Sequence, residues 1–246
     1  MKKIIFTLIV CIFFANIFAQ NKKKVALVSF YCDKKISGTG LGNIIEALIS
    51  DTNFNLQPVV NKAYNQFANE YAKDFPFDLI ENDKIIGNEK YKSHVSKFLR
   101  DTTLITHTSS VGQYVTANGL VFAFGDPIAL ALTPKDKRDP CVMPDYFPEA
   151  DGLLFVSIDY SFESRLMGLG AGIIANINIF LYDKDCKKIF SVRESAKSKG
   201  KVAAVGGIPL MKPEKIQPLC EDVTEELFKD LKGRLGKIVR KSAKKF

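Results

Sequence analysis

The 246-residue sequence has only two histidines, His94 and His107, and neither belongs to an HExxH motif or lies near a cysteine pair. A histidine-based metal site is therefore not expected, because such sites need several ligands at a regular spacing. Both histidines are expected on a solvent-exposed surface. The chain also lacks CxxC, GxSxG and Gly-Lys-Ser/Thr motifs. These absences exclude the usual zinc-ribbon, thioredoxin-like, hydrolase-elbow and P-loop signatures.

Two short segments come close to known catalytic or nucleotide-binding motifs. Residues 37–42 are glycine-rich and follow an apolar run, but Asn43 stands where GxGxxG needs its third glycine, so a flexible turn is the better interpretation. His107 and Ser109 are near neighbours, yet such neighbours rarely point at each other, and no orienting acid is evident. No catalytic, cofactor-binding or metal-binding residue is expected. An exported hydrolase using His107 and Ser109 stays an alternative.

The N-terminus has the pattern of a secretory signal peptide. Lys2 and Lys3 precede an apolar run over 4–18, and Ala19 supplies a small residue at its end. The run is shorter than the roughly 20 residues of a membrane-spanning helix. We expect residues 1–19 to be removed by cleavage near Ala19. The mature chain is then exported, periplasmic or secreted from a bacterium, and has no transmembrane segment.

Cysteines give the next indication of the compartment. Cys11 does not fit a lipoprotein signal, because Val10 precedes it and apolar residues continue after it. An even number remains after processing, which permits two disulfides in three possible pairings; these are Cys32, Cys141, Cys186 and Cys220. A chain of this size does not need such crosslinks to fold. The sequence therefore leaves disulfide formation open.

Residues 150–194 show the clearest strand pattern of the chain. Apolar side chains alternate with polar ones at period two over 153–162 and again over 173–181, and 189–192 returns as a third strand after a turn at 183–185. Such alternation is typical of an antiparallel sheet with one face on a core and one partly exposed to water. We predict a three-stranded antiparallel meander here.

The segments before the meander are predicted to extend and cover it. The apolar run 25–31 predicts a strand buried on both faces. Helical patterns occupy 43–50, 60–74 and 89–101. Residues 119–132 are expected to form a strand followed by a short buried element.

After the meander, a short fourth strand is predicted at 202–205, and a long amphipathic helix runs from Pro213 to near the end of the chain. Its apolar stripe consists of Ile216, Cys220, Val223, Leu227, Leu231, Leu235 and Ile238. Acidic residues in the first half and basic residues in the last turns complement the helix dipole. The stripe predicts that the helix lies across one face of the sheet.

Together these elements predict an α/β (α+β) fold. A mixed sheet with a C-terminal three-stranded antiparallel meander is flanked by helices, which include the long C-terminal one. No internal repeat of fixed period is present. We predict a single domain over 20–246, with an irregular insertion around 75–148.

Charge indicates which partners to consider. The chain has a net charge of +8, and its basic C-terminal residues, 237–246, suit weak contact with an anionic membrane surface. The basic residues form no stripe interleaved with aromatic side chains, so nucleic acid is not expected. A solvated helix end is the simpler interpretation. Binding to an anionic surface through this helix is a second alternative function.

Two features of the meander are predicted to contact a partner. The connection at 168–172 is apolar as well as glycine-rich, and such a loop either packs within its own chain or meets another protein. Two asparagines lie on the predicted wet face of the second strand. The possible partner-contact residues are Gly168, Leu169, Gly170, Asn176 and Asn178.

The order of elements resembles a known group of envelope proteins. Ala150-Asp151-Gly152 leads into a long strand, and the hairpin Leu-Tyr-Asp-Lys-Asp at 181–185 precedes a third strand and a closing amphipathic helix. This order is similar to the α/β domain of curli-secretion lipoproteins, penicillin-binding-protein activator lipoproteins and the Tol-associated N-terminal domain. The resemblance covers 24–50 and 148–240. It implies partner binding and assembly without catalytic residues, although this chain lacks their lipidated cysteine.

The sequence therefore favours a non-catalytic exported protein of the cell envelope. It is expected to bind a protein partner or a surface component, or to associate with itself, and to need no cofactor.

Overall fold

A computed structural model describes residues 22–37, 51, 53–97, 114–131, 133–165, 170–200, 202–205, 208–209 and 213–244. The predicted signal peptide at 1–19, the predicted helix at 43–50 and the glycines that follow Ser37 lie outside these residues. Within the described ranges, no helix combines the length and the apolar character needed to cross a membrane.

The fold is built on a mixed sheet that contains four long strands. They are β1 (Lys23–Asp33), β4 (Gly152–Arg165), β5 (Gly170–Asp183) and β6 (Lys188–Lys197). β1 and β4 run parallel, whereas β4, β5 and β6 are successive antiparallel neighbours. The predicted meander is confirmed. Its strands are longer than the sequence pattern indicated, because Gly170 and Gly172 belong to β5.

Short strands extend the sheet. β2 (Phe77–Leu79) runs parallel to the start of β1, and β3 (Tyr114–Thr116) runs antiparallel to its end. β7 (Val202–Val205) pairs antiparallel with the first residues of β5, and β8 (Ile208–Pro209) pairs with β7. β7 confirms the predicted fourth strand.

The alternation along β4 defines two faces of the sheet. Leu154, Val156 and Ile158 point to what we call the back face, where they are fully buried with their β5 partners. Ser157 and Asp159 point to the opposite, front face. The period of two that predicted the meander thus separates an apolar face from a mixed one.

Two helical segments cover the back face. α1 (Gln57–Gln66) begins with a proline in its first turn, where no hydrogen bond is lost. It continues as a π-helical turn over Phe67–Tyr71 and a 3-10 turn over Ala72–Asp74. α6 (Pro213–Ala243) is the predicted C-terminal helix, and its apolar stripe is buried from Ile216 to Ile238.

Aromatic contacts join these layers. Tyr71 of the π-helical turn donates a hydrogen bond to the carbonyl oxygen of Phe228 in α6, and their ring centroids lie 5.2 Å apart. Phe75 leads into β2 at one edge of the sheet, yet it stacks on Phe190 of β6 with centroids 6.2 Å apart. The back face is therefore concave, because residues associated with opposite edges meet over it.

Four short α-helices complete the described part of the fold. They are α2 (Asn82–Ile86), α3 (Glu89–Lys92), α4 (Pro127–Leu130) and α5 (Asp139–Val142). The helix predicted over 89–101 is wrong for 94–96, which are not helical. His94 and Ser96 bond instead to Asp139, and these tertiary contacts replace a further helical turn. Residues 98–101 lie outside the described part.

The segment 120–126 crosses the front without forming the predicted strand. Its backbone N–H groups are satisfied by side chains instead: Val121 donates to the Tyr91 hydroxyl at 3.0 Å, and Ala123 donates to Ser29 Oγ at 3.1 Å. Phe124 donates to Asp139 Oδ2 at 2.6 Å. Buried backbone groups must find partners, and here polar side chains provide them.

A disulfide fixes this front layer to the meander. Cys141 of α5 is joined to Cys186, which lies in the β5–β6 turn with a positive φ of 64°, and their Cα atoms are 4.7 Å apart. Cys32 and Cys220 are free and buried on the back side of the sheet. Of the pairings that the sequence left open, the structure thus contains one bond. The predicted α/β fold with its mixed sheet, meander and long C-terminal helix is confirmed.

Candidate functional site

β6 has one long edge without a strand neighbour in the described part of the chain. Its inner edge pairs with β5 from Lys197 opposite Ile174 to Lys188 opposite Tyr182, with a bulge at Ile189. No strand within the described ranges pairs with its outer edge. A strand edge without a neighbour leaves backbone N–H and C=O groups available to another chain. The regular part of this edge runs from Phe190 to Lys197.

A groove lies between this edge and the last turns of α6. One part, about 430 Å³, is lined by β6 residues from Lys188 to Val192 together with Ile238 and Lys244. A second part, about 290 Å³, shares Val192 and Ile238 and extends to Arg234 and Lys237. Because the two parts share residues, they form one continuous groove, which we call the β6 groove.

The β6 groove has an apolar floor and a basic rim. Ile189 and Val192 are half-buried, and Ile238 is 5% exposed, so apolar surface lines its base. The basic side chains around it are Lys188, Arg193, Arg234, Lys237 and Lys244. The acid that lines it, Glu194, accepts a hydrogen bond from Arg234 at 2.5 Å and is thereby neutralised. Arg193 lies 3.9 Å from Asp126 Oδ2, so the net positive charge of the groove comes from Lys188, Lys237 and Lys244.

A polar network on the front face holds Arg193 in place. Asn178 is 2% exposed, and its side-chain oxygen accepts from Arg193 Nε at 2.6 Å. Its Nδ2 donates to Asp159 Oδ2 at 2.7 Å and to Ser157 Oγ at 3.3 Å. Asn178 thus connects β4, β5 and β6 through one satisfied amide.

Burial decides the electrostatics of this network. It raises the pKa of Asp159 above the ordinary aspartate value, and the nearby carboxylate of Asp126 acts in the same direction. The hydrogen bond from Asn178 and the positive charge of Arg193 oppose this rise. Asn178 and Arg193 therefore partly offset the cost of burying the Asp159 carboxylate, and the network joins side chains of three strands.

The residues predicted to contact a partner are only partly brought together. Gly168 and Leu169 lie outside the described residues. Gly170 is buried in β5, between Arg165 of β4 and Ala203 of β7. Asn178 belongs to the buried network, and Asn176 is half-buried opposite Asp159. Their contact with a partner stays a prediction.

Sequence reasoning missed the residues of the β6 groove. The sequence pattern predicts that Ile189 and Val192 belong to a strand, but nothing in a local pattern indicates which strand of a sheet lies at its edge. Ile238 was assigned to the helix stripe, which is correct, while its position beside β6 depends on the tertiary packing. The signal that could have drawn attention to this strand is its pair of apolar residues, Ile189 and Val192, between the flanking Lys188 and Lys197.

A buried cluster contains the residue types of a hydrolytic triad in an unsuitable arrangement. His94 Nε2 lies 3.1 Å from Asp139 Oδ1, and Ser96 Oγ donates to Asp139 Oδ2 at 2.6 Å. A nucleophilic serine must bond to the histidine, whereas here both bond to the acid. The His94 side chain is 6% exposed, so its predicted surface position is wrong. The cluster instead fixes α5 to the segment after α3.

Within the described ranges, no group of three or more His, Cys, Asp or Glu side chains is placed to hold a metal ion. His107 and Ser109, the residues of the hydrolase alternative, lie outside the described part of the chain.

Comparisons with known proteins give little similarity. No family model and no curated protein matches the chain. Among solved structures, lipoprotein GNA1162 from Neisseria meningitidis is 9% identical with a TM-score of 0.31, over 72% of this chain and 82% of that chain. The hypothetical protein CT253 from Chlamydia trachomatis is 9% identical with a TM-score of 0.34, over 87% and 98%. Similarity at this level does not define a shared fold.

Proposed function

We propose that this chain is an exported, non-catalytic protein of the bacterial cell envelope that binds an extended, acidic segment of a partner protein along β6. The observation that carries the proposal is the outer edge of β6, which stands beside a groove with an apolar floor and a basic rim. An extended peptide can add to such an edge through backbone hydrogen bonds, while side-chain pockets supply selectivity.

The charge of the β6 groove favours an acidic partner over a second copy of this chain. Two copies would bring together surfaces that carry the same basic residues, and each chain keeps a net charge of about +6 after the expected loss of Lys2 and Lys3. In an antiparallel pairing of two β6 strands centred on their middle, Lys188 of one copy would face Lys197 of the other. Like charges placed directly opposite each other destabilise a strand pair.

Export is supported by two independent features. The basic start and short apolar run at 1–19 have the pattern of a cleaved signal peptide. The Cys141–Cys186 disulfide needs an oxidising compartment, and such bonds are rare in a reducing cytosol. Together they favour the periplasm or the extracellular space.

The envelope assignment also draws on the order of elements, which is similar to that of the lipoproteins named above. Membership of those particular families stays a prediction, because no family model matches the chain. The absence of an enzymatic role is likewise part of the proposal. It is supported by the arrangement of the buried His94 cluster, in which no serine is bonded to the histidine.

The test uses a fluorescent peptide of alternating valine and glutamate and follows its anisotropy as the purified chain is added. Changing Lys188, Lys237 and Lys244 to glutamate is expected to weaken binding by roughly tenfold or more, since three ion pairs are lost. The matched control changes Lys73, Lys90 and Lys232 to glutamate. These side chains are equally exposed, lie away from the groove and give the same net charge.

Two further measurements distinguish strand pairing from electrostatic attraction between the basic groove and any acidic ligand. A peptide with proline in place of valine keeps the charge but cannot pair with an edge, so it should bind more weakly. Equal binding of both peptides, or equal losses in both triple variants, would overturn the proposal. Vesicles containing phosphatidylglycerol form the last arm. Binding to them that needs the three groove lysines, without peptide binding, would assign the groove to a membrane surface instead.

A further inference from the structure

A second pocket lies away from the β6 groove, at the edge where β2 joins the sheet. It has a volume of about 340 Å³, within the range of roughly 300–1,000 Å³ that small-molecule sites occupy. Asparagine dominates its polar lining, with four such residues from three parts of the chain: Asn65, Asn69, Asn82 and Asn118. We call it the asparagine pocket.

The amide groups of the asparagine pocket are partly engaged with one another. Asn118 Nδ2 donates to Asn65 Oδ1 at 3.0 Å, and the Tyr64 hydroxyl donates to Asn82 Oδ1 at 3.0 Å. The side chain of Asn69 makes no hydrogen bond to another residue in the described part of the chain. These contacts orient Asn65 and Asn82, while Asn69 keeps a full amide free for a ligand.

Two unusual backbone segments converge on this pocket. Asn118 has a positive φ of 44°, in the left-handed region, and its N–H is held by Asn61 Oδ1 at 3.1 Å. Ala68 and Asn69 lie in the π-helical turn Phe67–Tyr71. π-helical turns occur frequently at functional sites, and left-handed residues other than glycine cluster at ligand sites. Here both present side chains to the same space.

The lining selects the chemistry of the ligand. No lysine or arginine lines the pocket, and the carboxylate of Glu81 is paired with Lys84 at 3.0 Å, so an anionic ligand finds no free cationic side chain in the lining. The amide of Asn69 offers a donor and an acceptor side by side, which matches adjacent hydroxyl groups, and the engaged amides keep their remaining N–H groups and lone pairs. Leu79 and Ile80 provide an apolar surface for the C–H groups of a ring. From this combination we infer that the asparagine pocket binds a neutral saccharide.

The protonation of Tyr64 is consistent with this role. Burial and the nearby carboxylate of Asp83 raise the pKa of Tyr64 above the ordinary tyrosine value. The phenol therefore keeps its proton and goes on donating to Asn82 Oδ1, while Asn82 Nδ2 donates to the carbonyl oxygen of Asn118 at 3.5 Å.

Isothermal titration calorimetry on the purified chain tests the inference with named sugars. The panel contains glucose, galactose, N-acetylglucosamine and its β-1,4 dimer, with glucuronic acid as the anionic comparator. At least one neutral sugar should bind saturably, and glucuronic acid should bind more weakly than glucose. No saturable binding of any neutral sugar up to about 50 mM, or preferred binding of glucuronic acid, would overturn the inference.

Variants locate the site. Asn69→Ala and Asn82→Ala should each weaken binding of that sugar by roughly tenfold, because each removes hydrogen bonds to the ligand. Asn69 is exposed and has no partner to lose among the described residues, so its variant should fold normally. Asn53→Ala changes an exposed asparagine elsewhere and should leave affinity within about twofold. Unchanged affinity in Asn69→Ala and Asn82→Ala would place any sugar binding outside this pocket.

Discussion

The hydroxyl of Tyr91 donates to the carbonyl oxygen of Val28 at 2.7 Å, across 63 residues of sequence. Val28 lies at an irregularity in β1, where the register with β4 shifts between Leu27 and Ser29. A bulge leaves its extra residue without a ladder partner. Tyr91 replaces that partner, and the same hydroxyl accepts from the N–H of Val121 at 3.0 Å. One phenol therefore connects the central strand to the layer in front of it.

Replacing Tyr91 by phenylalanine should lower the free energy of unfolding by about 2–4 kcal/mol, because two backbone groups lose their partner at once. Tyr64→Phe is the control, since its hydroxyl bonds to one partly buried side chain, and it should cost about 1 kcal/mol. Urea denaturation of both variants gives the comparison. Equal losses would show that the bulge does not depend on Tyr91.

Glycines at three positions should respond in opposite directions to alanine. A Cβ at Gly125 would stand 2.6 Å from Cγ of Phe155, so Gly125→Ala should destabilise the protein by about 1–3 kcal/mol. Gly233 and Gly236 lie in α6 with no atom within 4 Å of an added Cβ. Alanine there should stabilise by about 0.5–1 kcal/mol each, because it favours the helix. Thermal unfolding followed by circular dichroism would check the signs, and a stabilising Gly125→Ala would contradict the packing described here.

The Cys141–Cys186 bond closes a loop with a sequence separation of 45 residues. Replacing both cysteines by serine should lower the unfolding free energy by about 3–4 kcal/mol, mainly by freeing the unfolded chain. Guanidinium denaturation of the oxidised wild type and the double variant measures this difference. Coinciding denaturation curves would argue against a stabilising crosslink.

Thiol counting with Ellman's reagent supplies the control. Cys32 and Cys220 are fully buried, and burial raises the pKa of Cys32 to about 12 and that of Cys220 well above the ordinary cysteine value. Neither should react in the folded protein. After unfolding without reductant both should react, and Cys11 should add a third thiol only if the N-terminal segment is retained.

Asp159 should make stability depend on pH in a defined direction. Its pKa is raised in the folded state, mainly by burial, so its contribution is fully present below the ordinary aspartate pKa and is lost as pH rises through the folded value. Asp159→Asn removes this loss. The unfolding free energy of the variant minus that of the wild type should therefore be larger at pH 7 than at pH 3. Urea denaturation at both values measures the change, and an equal difference at the two would contradict it.

The periodic elements of this fold were accessible from sequence, since they depend on local alternation. The meander followed from a period of two, and α6 followed from its apolar stripe and its division into acidic and basic halves. Both patterns depend only on residues that are close together in the sequence. They therefore predict the correct elements without any tertiary information.

The parts that sequence missed depend on contacts between distant residues. His94 is buried because it bonds to Asp139, which is 45 residues away in the sequence. Residues 120–126 are not a strand because the side chains of Ser29 and Tyr91 accept hydrogen bonds from their backbone N–H groups. The edge position of β6 is a property of the whole sheet. None of these arrangements produces a repeating pattern of apolar and polar residues in the sequence.

The parallel pairing of β1 with β4 also determines when the sheet can assemble. The N–H of Lys24 donates to Asp151 Oδ2 across 127 residues. More than half of the chain must therefore be synthesised before β4 is available to pair with β1. Contacts of such long separation slow folding, because a large loop must close before they form. Until β4 emerges during synthesis, β1 is an apolar segment without its main partner. We therefore expect β1 to remain without this neighbour over that interval, so that the central pair of the sheet forms late.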